Sequence, residues 1–348
     1  MFDEKKDNRQ LSTDERQGLK EHSNRLRSVI QTGFVVFSIL LCLQFRSFVF
    51  SLTGPVDAPI KARPPAVEAY LPISSLMSLT YLVKTGVANR VRPAGLVIFT
   101  VTLVLALLIR RGFCSWVCPI GTAAEWAHKT GKKLLGRNLS MPRWLDVILR
   151  SLKYGLLGFF LYYILLMPIV ALREFIYGPY NRVADVKMYL FFSNISVTAL
   201  IVIVVLGLLS MLFKNFFCRY LCPYGAMLGL FSVLSPVAVR RDADKCVGCG
   251  KCGRVCPNQI PVDKKKIVRS VECAACFSCV GVCRVPGAIG MSLPGGKVRV
   301  SVVAYGVIMV AAFFFASQVG RTLDYWQSET PAQTYKFLYD RITETRHP

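Results

Sequence analysis

The chain has 348 residues, 53% of them hydrophobic and only 18% charged, with a formal net charge of +23. Soluble domains carry roughly a quarter charged residues, and at least five stretches here approach the length that crosses a bilayer core. A soluble globular enzyme is excluded. The basicity reads as topology rather than nucleic-acid binding, because membrane proteins gather Lys and Arg in their cytoplasmic loops; the lipid bilayer is the expected partner and nucleic acid is not.

Residues 1–27 hold seven Lys/Arg and six Asp/Glu and read as a polar cytoplasmic tail. No cleavable signal peptide is expected, since a short basic start should lead directly into an apolar run. Apolar spans follow at about 28–51, 94–110, 150–172, 191–213 and 300–320. The second is short and is expected to start near Val87, with Arg90 and Arg92 snorkelling to the outer interface. With the N-terminus inside, the inner segments hold 29 Lys/Arg and the outer segments 12, the asymmetry that sets orientation. The predicted organisation is a tail at 1–27, a four-helix membrane domain at 28–239 and a cytoplasmic ferredoxin domain at 240–292. A fifth membrane helix at 293–321 and a periplasmic tail at 322–348 complete it.

Twelve of the thirteen cysteines fall into four tight groups, and Cys42 stands alone. Disulfides of a secreted domain would be spread more evenly. Three scattered histidines (His22, His128 and His347) cannot supply a bis-histidine haem, so metal ligation by thiolates is the reading. All four groups land on the inner side, where thiols stay reduced.

Cys246–Pro257 reads CVGCGKCGRVCP and Cys273–Cys283 reads CAACFSCVGVC, both C-x2-C-x2-C-x3-C. This spacing wraps three thiolates around one cubane and sends the fourth to the neighbouring cluster. Cys246, Cys249, Cys252 and Cys283 are thereby assigned to one [4Fe–4S] cluster, and Cys273, Cys276, Cys279 and Cys256 to the other. Gly248, Gly250 and Gly253 suit a backbone curling around a cluster. Paired zinc sites, the alternative, use two CxxC pairs across a longer loop. Pro257 follows Cys256, whereas Arg284 and Val285 intervene before Pro286, a departure that could tune the first cluster.

An internal repeat joins the other cysteines. Ile109–Gly121 reads IRRGFCSWVCPIG and Phe213–Gly225 reads FKNFFCRYLCPYG, sharing FCxxxCPxG 104 residues apart. Both follow an apolar span in the same orientation, which predicts a pseudo-two-fold axis along the membrane normal. Cys114/Cys118 and Cys218/Cys222 are spaced i, i+4, which on a helix puts both thiols on one face. Pro119 and Pro223 suit helix starts. Three readings stay open for these four catalytic candidates: a third metal centre, redox-active pairs, or small core residues.

With five spans, two FCxxxCPxG elements and a double-cluster segment, residues 30–320 resemble the membrane polyferredoxin family of the NapH/NosR/CcoG type. Arg63–Leu76 and Pro179–Met188 resemble a NapH-like or YccM-like branch of it. The resemblance implies electron transfer between a membrane quinone and iron–sulfur or haem protein partners. The flavin domain of the NosR type and the large soluble C-terminal domain of the CcoG type have no counterpart here, so their special functions do not carry over.

Other residues carry weaker signals. Arg46 near the end of its span is read as snorkelling. The segment 64–84, with Pro72, Ser74, Ser75 and Tyr81, either caps a quinone pocket or packs as an amphipathic helix. Arg173, Glu174, Tyr177, Tyr180 and Asp185 could protonate a quinone or contact a partner. Lys264–Lys266 is a solvated face or a docking patch for an acidic donor.

The expected fold is an all-α transmembrane bundle of about five helices with an inserted α+β bacterial-type 2[4Fe–4S] ferredoxin domain. It sits in a bacterial inner membrane, N-terminus and ferredoxin domain cytoplasmic and C-terminus periplasmic. The expected function is electron transfer between the quinone pool and a redox partner, as a quinol-dehydrogenase-like subunit. The alternatives are a cupric reductase using the CxxxCP thiols and a non-catalytic membrane anchor or assembly subunit.

Overall fold

The computed structural model describes residues 13–55, 58–136, 139, 141–296 and 298–345, with the side chains of 13–24 and of Arg143 left out. The fold is mostly helical. Arg25–Leu52, Trp144–Leu166 and Val302–Thr322 are long and apolar enough to cross a membrane. Pro93–Ile109 is a shorter apolar helix, and Ala184–Ser193 and Val197–Leu212 make one broken apolar pair bent by 84°. Their outward faces are bare hydrocarbon: Val197, Ile201, Phe314 and Phe315 are all exposed, as lipid-facing positions should be.

Local chemistry sets the boundaries. Pro72, Pro93, Pro119 and Pro223 each begin a helix, at the position where the missing N–H has no intrahelical partner to lose. Ser196 and Ser301 cap theirs, accepting from the N–H of Ala199 and Ala304.

Four boundaries differ from the sequence expectation. The first helix runs Thr13–Leu52, so the expected polar tail is helical from Thr13, and residues 1–12 lie outside the described residues. The helix expected near Val87 starts at Pro93, because Pro disfavours helical backbone in the residue before it. The expected span 150–172 is Arg143–Leu166 followed by a separate helix Ile169–Tyr177, broken at Met167–Pro168 for the same reason. The expected span 191–213 is interrupted at 194–196.

Between Val197–Leu212 and Val302–Thr322 lies a four-stranded antiparallel sheet, order β2-β1-β3-β4, with β1 Ala238–Arg241, β2 Ile267–Val268, β3 Ile289–Ser292 and β4 Arg299–Val300. Val239 pairs with Val268 on one side and Met291 on the other. All three are buried, so one sheet face backs the two cysteine loops.

The opposite end of the bundle is closed by a cap with its own core. Phe45, Phe48 and Leu52 of the first helix pack there with Val67, Val186 and Tyr335. Tyr335 belongs to the helix Ala332–Asp340, so the segment expected as a tail is docked. Lys336 reinforces this by donating to Gly54 O at 2.9 Å. Inside the cap lies a buried ionic network. Arg63 reaches Asp185 at 2.6 Å and Glu68 at 2.8 Å, Arg92 reaches Asp185 at 3.2 Å, and Glu68 accepts from the Gly95 N–H at 2.8 Å. Arg92 therefore does not snorkel. Its Nε donates to Asn181 O at 2.8 Å, while the exposed Arg90 pairs with Glu329.

Removing one partner of a buried ion pair strands the other, at a cost of about 3–5 kcal/mol. Asp185→Ala is therefore expected to lower the temperature at which detergent-solubilised protein loses its monodisperse size-exclusion peak. A wild-type heat profile would contradict this account of the cap.

Candidate functional site

Each FCxxxCP element folds the same way. Phe113–Trp116 and Phe216–Tyr220 are single helical turns. The chain then extends at Cys118 (φ −65°, ψ 119°) and Cys222 (φ −75°, ψ 105°), which cap the helices Pro119–Leu135 and Pro223–Val233. The Cys118 N–H donates to Phe113 O at 2.9 Å and the Cys222 N–H to Phe217 O at 3.1 Å. The i, i+4 thiols thus do not share one continuous helix as their spacing suggested. The second of each pair sits at a helix N-terminus, where backbone N–H groups favour negative charge. The Gly225 N–H lies 3.3 Å from the Cys222 sulfur. Glycine is required at 121, since a Cβ there would sit 2.1 Å from Cys114 O.

The two units exchange helices. Pro93–Ile109, which precedes the first element, packs on Pro223–Val233, which follows the second. Val197–Leu212, which precedes the second, packs on Pro119–Leu135, which follows the first. This exchange brings Cys114, Cys118, Cys218 and Cys222 within electrostatic reach of one another. Burial pushes Cys114 up to about 12, against the pull of Arg111, and Cys118 up to about 11. Burial and the other three thiols raise Cys218 well above its usual value. Such thiols stay protonated at neutral pH unless a bound cation displaces the protons.

In the insert, the two cysteine loops repeat each other's backbone. Gly248 and Gly250 have φ of 67° and 68°, and their counterparts Ala275 and Phe277 have φ of 49° and 56°. Left-handed backbone at a non-glycine costs roughly 1–2 kcal/mol, so it persists where the loop must curl inward. Cys256, Cys273, Cys276 and Cys279 line one cavity, and burial pushes Cys256 up to about 12. Cys283 interacts electrostatically with Cys246 and Cys249, and Cys252 with Cys283. Cys279 also lies within electrostatic reach of Cys252, so the two groups of thiols adjoin. Among the described residues no three of His, Cys, Asp or Glu converge on a single ion. A thiol-lined cavity and inward-curled loops fit a larger thiolate-bound cluster.

The first FCxxxCP element is clamped onto the loop that carries Cys273 and Cys276. Arg110 donates to Ser270 O at 2.8 Å, Ser115 to Ala274 O at 2.6 Å and Trp116 Nε1 to Ala275 O at 3.0 Å. Arg111 bridges both elements, donating to Gly225 O at 2.7 Å and Glu272 O at 3.0 Å. Trp116, Phe277 and Tyr305 fill the space between with ring centroids 5.1–6.1 Å apart. The second element is anchored by Arg219, which bonds Asp146 at 2.9 Å and Gln259 at 3.2 Å.

Glu272 is the hub. Lys153 Nζ meets both its carboxylate oxygens at 2.7 Å, and Tyr154 OH donates to it at 2.9 Å. Burial alone would raise the carboxyl, but Arg111 and Lys153 outweigh burial and hold it below the usual range. Composition and motif spacing did not reveal this group. The one signal was a lysine inside an apolar span, which by default marks a functional or paired position.

The remaining sequence candidates lie elsewhere. Ser74, Ser75 and Tyr81 are on the buried face of the helix Pro72–Thr85, and Asp185 is committed to Arg63 and Arg92. Arg46 is exposed over the Phe50 ring, and Cys42 is exposed on the first helix.

Comparison with known proteins matches these elements. A family described as a 4Fe-4S binding domain matches residues 91–142 and 195–241, the two FCxxxCP units, and a 4Fe-4S dicluster domain matches 238–284. The "Putative electron transport protein YccM" of Escherichia coli (strain K12) is 39% identical over 331 residues, covering 92% of this chain and 91% of that one. The methylamine utilization ferredoxin-type protein MauN of Methylobacillus flagellatus is 31% identical, over 56% of this chain and 62% of its own. The ferredoxin-type protein NapH of Escherichia coli is 29% identical, over 60% of this chain and 70% of its own. No solved structure matches.

If Glu272 anchors the insert, Glu272→Leu strands Lys153 at a cost of about 3–5 kcal/mol and speeds tryptic cleavage within residues 240–292. Lys153→Met in the same chain should restore much of the protection. Equal cleavage of wild type and the single variant would refute the anchor.

Proposed function

This chain belongs to the ferredoxin-type membrane protein family that includes YccM, NapH and MauN, and we propose that it carries single electrons between the quinone pool and a protein redox partner. Membrane iron–sulfur electron transfer is the role its relatives support. The observation that carries the finer reading is the clamp of the first FCxxxCP element onto the loop of Cys273 and Cys276. An element held that rigidly against a cluster loop serves an electron path.

On this reading Cys246, Cys249, Cys252 and Cys283 hold one [4Fe–4S] cluster, and Cys256, Cys273, Cys276 and Cys279 hold the second. Cys114, Cys118, Cys218 and Cys222 hold a third metal centre, supported by their mutual electrostatic reach and by a 4Fe-4S family that matches both units. When bound, such clusters exchange single electrons at potentials set by hydrogen bonding and exposure. The chain's own residues orient and insulate them. Arg111 fixes the two FCxxxCP elements to the second loop, and Trp116, Phe277 and Tyr305 exclude water between them.

Five spans, a cytoplasmic N-terminus and insert, and a bacterial inner membrane complete the proposal. The Lys/Arg asymmetry and the need for reduced thiols support it. The cysteine groups occupy one end of helices whose other end is the sealed cap. Crossing a core about 30 Å thick therefore falls to a diffusible quinone or a partner subunit.

The test is an iron and acid-labile sulfide count on anaerobically purified protein, wild type against a variant with Ser at 114, 118, 218 and 222. About twelve irons falling to about eight is the expected result. About eight in both confines the clusters to the insert and removes the third centre. Menaquinol added to the reconstituted protein should bleach the cluster absorbance, and an unchanged spectrum would reject the quinone link.

A further inference from the structure

We propose that the rim of the first cysteine set, Cys246, Cys249, Cys252 and Cys283, is the docking face for an acidic one-electron carrier protein. This rests on the electron-transfer reading and adds to it the kind of partner and the place where it sits.

The two cysteine sets differ sharply in exposure. Cys256, Cys273 and Cys279 are buried, beneath the sheet and against Trp116. Cys249 is exposed, Cys246, Cys252 and Cys283 are half-buried, and Val247 between them is 71% exposed. Hydrogen bonds from membrane-domain side chains land on 254, 259, 270, 272, 274 and 275. None of the described ones lands on 246–250. The first set is therefore the pole turned away from the FCxxxCP elements, and it holds the one exposed cysteine among the described residues of the insert.

That pole is cationic. Lys245, Lys251 and Arg284 flank its cysteines in sequence, and Arg254 donates to Cys249 O at 3.0 Å. The exposed run Lys264–Lys266 follows Val262, on the short turn that packs against the helix Lys251–Val255. Three acids oppose them. Asp242 lies 3.8 Å from Lys245, Asp244 is exposed, and Asp263 is tucked against Gly253, where a Cβ would meet its Oδ1 at 2.3 Å. Across residues 240–292 there are ten Lys/Arg and four Asp/Glu, and Glu272 is spent on Lys153. A small apolar tip ringed by like charge is the form of a transient, electrostatically steered contact. Such a ring raises encounter rates by roughly 10–1000-fold toward a partner of opposite sign. One electron crosses per encounter: one protein is oxidised by one electron, the other reduced by one, and no proton or bond is exchanged.

The test uses the full chain, cluster-loaded, in nanodiscs of zwitterionic lipid, with an acidic flavodoxin as probe. Binding is measured by biolayer interferometry at low and physiological salt. The expected result is that Lys245→Glu with Lys251→Glu weakens binding roughly tenfold or more, that salt weakens the wild type, and that the cluster spectrum is unchanged. The control pair Lys132→Glu with Lys133→Glu should bind as wild type. No salt-sensitive binding, or equal loss in both pairs, overturns the docking face. So does a rim variant that loses affinity for phosphatidylglycerol vesicles but not for flavodoxin, which would assign the charge to the membrane surface. Rim-dependent binding with no electron crossing in stopped flow keeps the docking face and rejects the electron-transfer reading beneath it.

Discussion

A carboxylate buried at the join of two domains is the constraint on which the rest of the site depends. Glu272 sits one residue before Cys273 and is 3% exposed. Left unpaired there, a carboxylate would pay a desolvation cost of several kcal/mol. Lys153 meets both its oxygens from a membrane helix, Tyr154 adds a hydrogen bond from the next residue, and Arg111 covers it from the first FCxxxCP element. The partners arrive from two elements, the helix Arg143–Leu166 and the segment of Arg111, so the pairing is satisfied only when both are docked on the insert. A hydrophobic join of the same area would tolerate sliding. This one fixes register, which is what neighbouring redox centres need.

The internal repeat gives that join its shape. An FCxxxCP unit by itself presents two thiols and a helix with no partner. Exchange with its copy lays each following helix on the other unit's preceding helix and brings four thiols into one region. The same economy recurs in the insert, where Gly248 and Gly250 have their counterparts in Ala275 and Phe277. The second loop tolerates the strain because Ala275 O accepts from Trp116 and the Phe277 ring stacks edgewise on Tyr305. Glycine serves the exposed loop, and tertiary contacts replace it in the buried one.

What was legible in the sequence follows from range. The cysteine groupings, the prolines that start helices and the apolar runs are local patterns, and they marked out the dicluster segment and the repeat. The ionic network of the cap was not legible, because Arg63 and Asp185 are 122 residues apart and each resembles an ordinary loop charge. Arg92 looked like a snorkelling residue for the same reason. Periodicity also overran the helix ends at 166 and 194–196, since hydropathy continues through a break that only Pro168 and the turn residues mark.

The two ends of the bundle answer opposite demands. At the cap, charge is neutralised internally: Arg63, Arg92, Glu68 and Asp185 close on one another, and Ser74 and Asn181 bond beneath them at 2.8 Å. Such a network holds helix ends together and leaves little charge for a ligand. At the insert, cation is in excess at the surface, and the buried charge is spent on aligning the loop of Cys273. Helices Pro93–Ile109 and Val302–Thr322 join the two, with Tyr305 bonding Ile109 O at 2.9 Å near one end and Ser328 bonding Val91 O at 2.7 Å near the other. On the proposed reading, the cap is then a structural closure and the electron path stays at the insert end. On that reading, the crossing to the cap end falls to a diffusible quinone or a partner subunit.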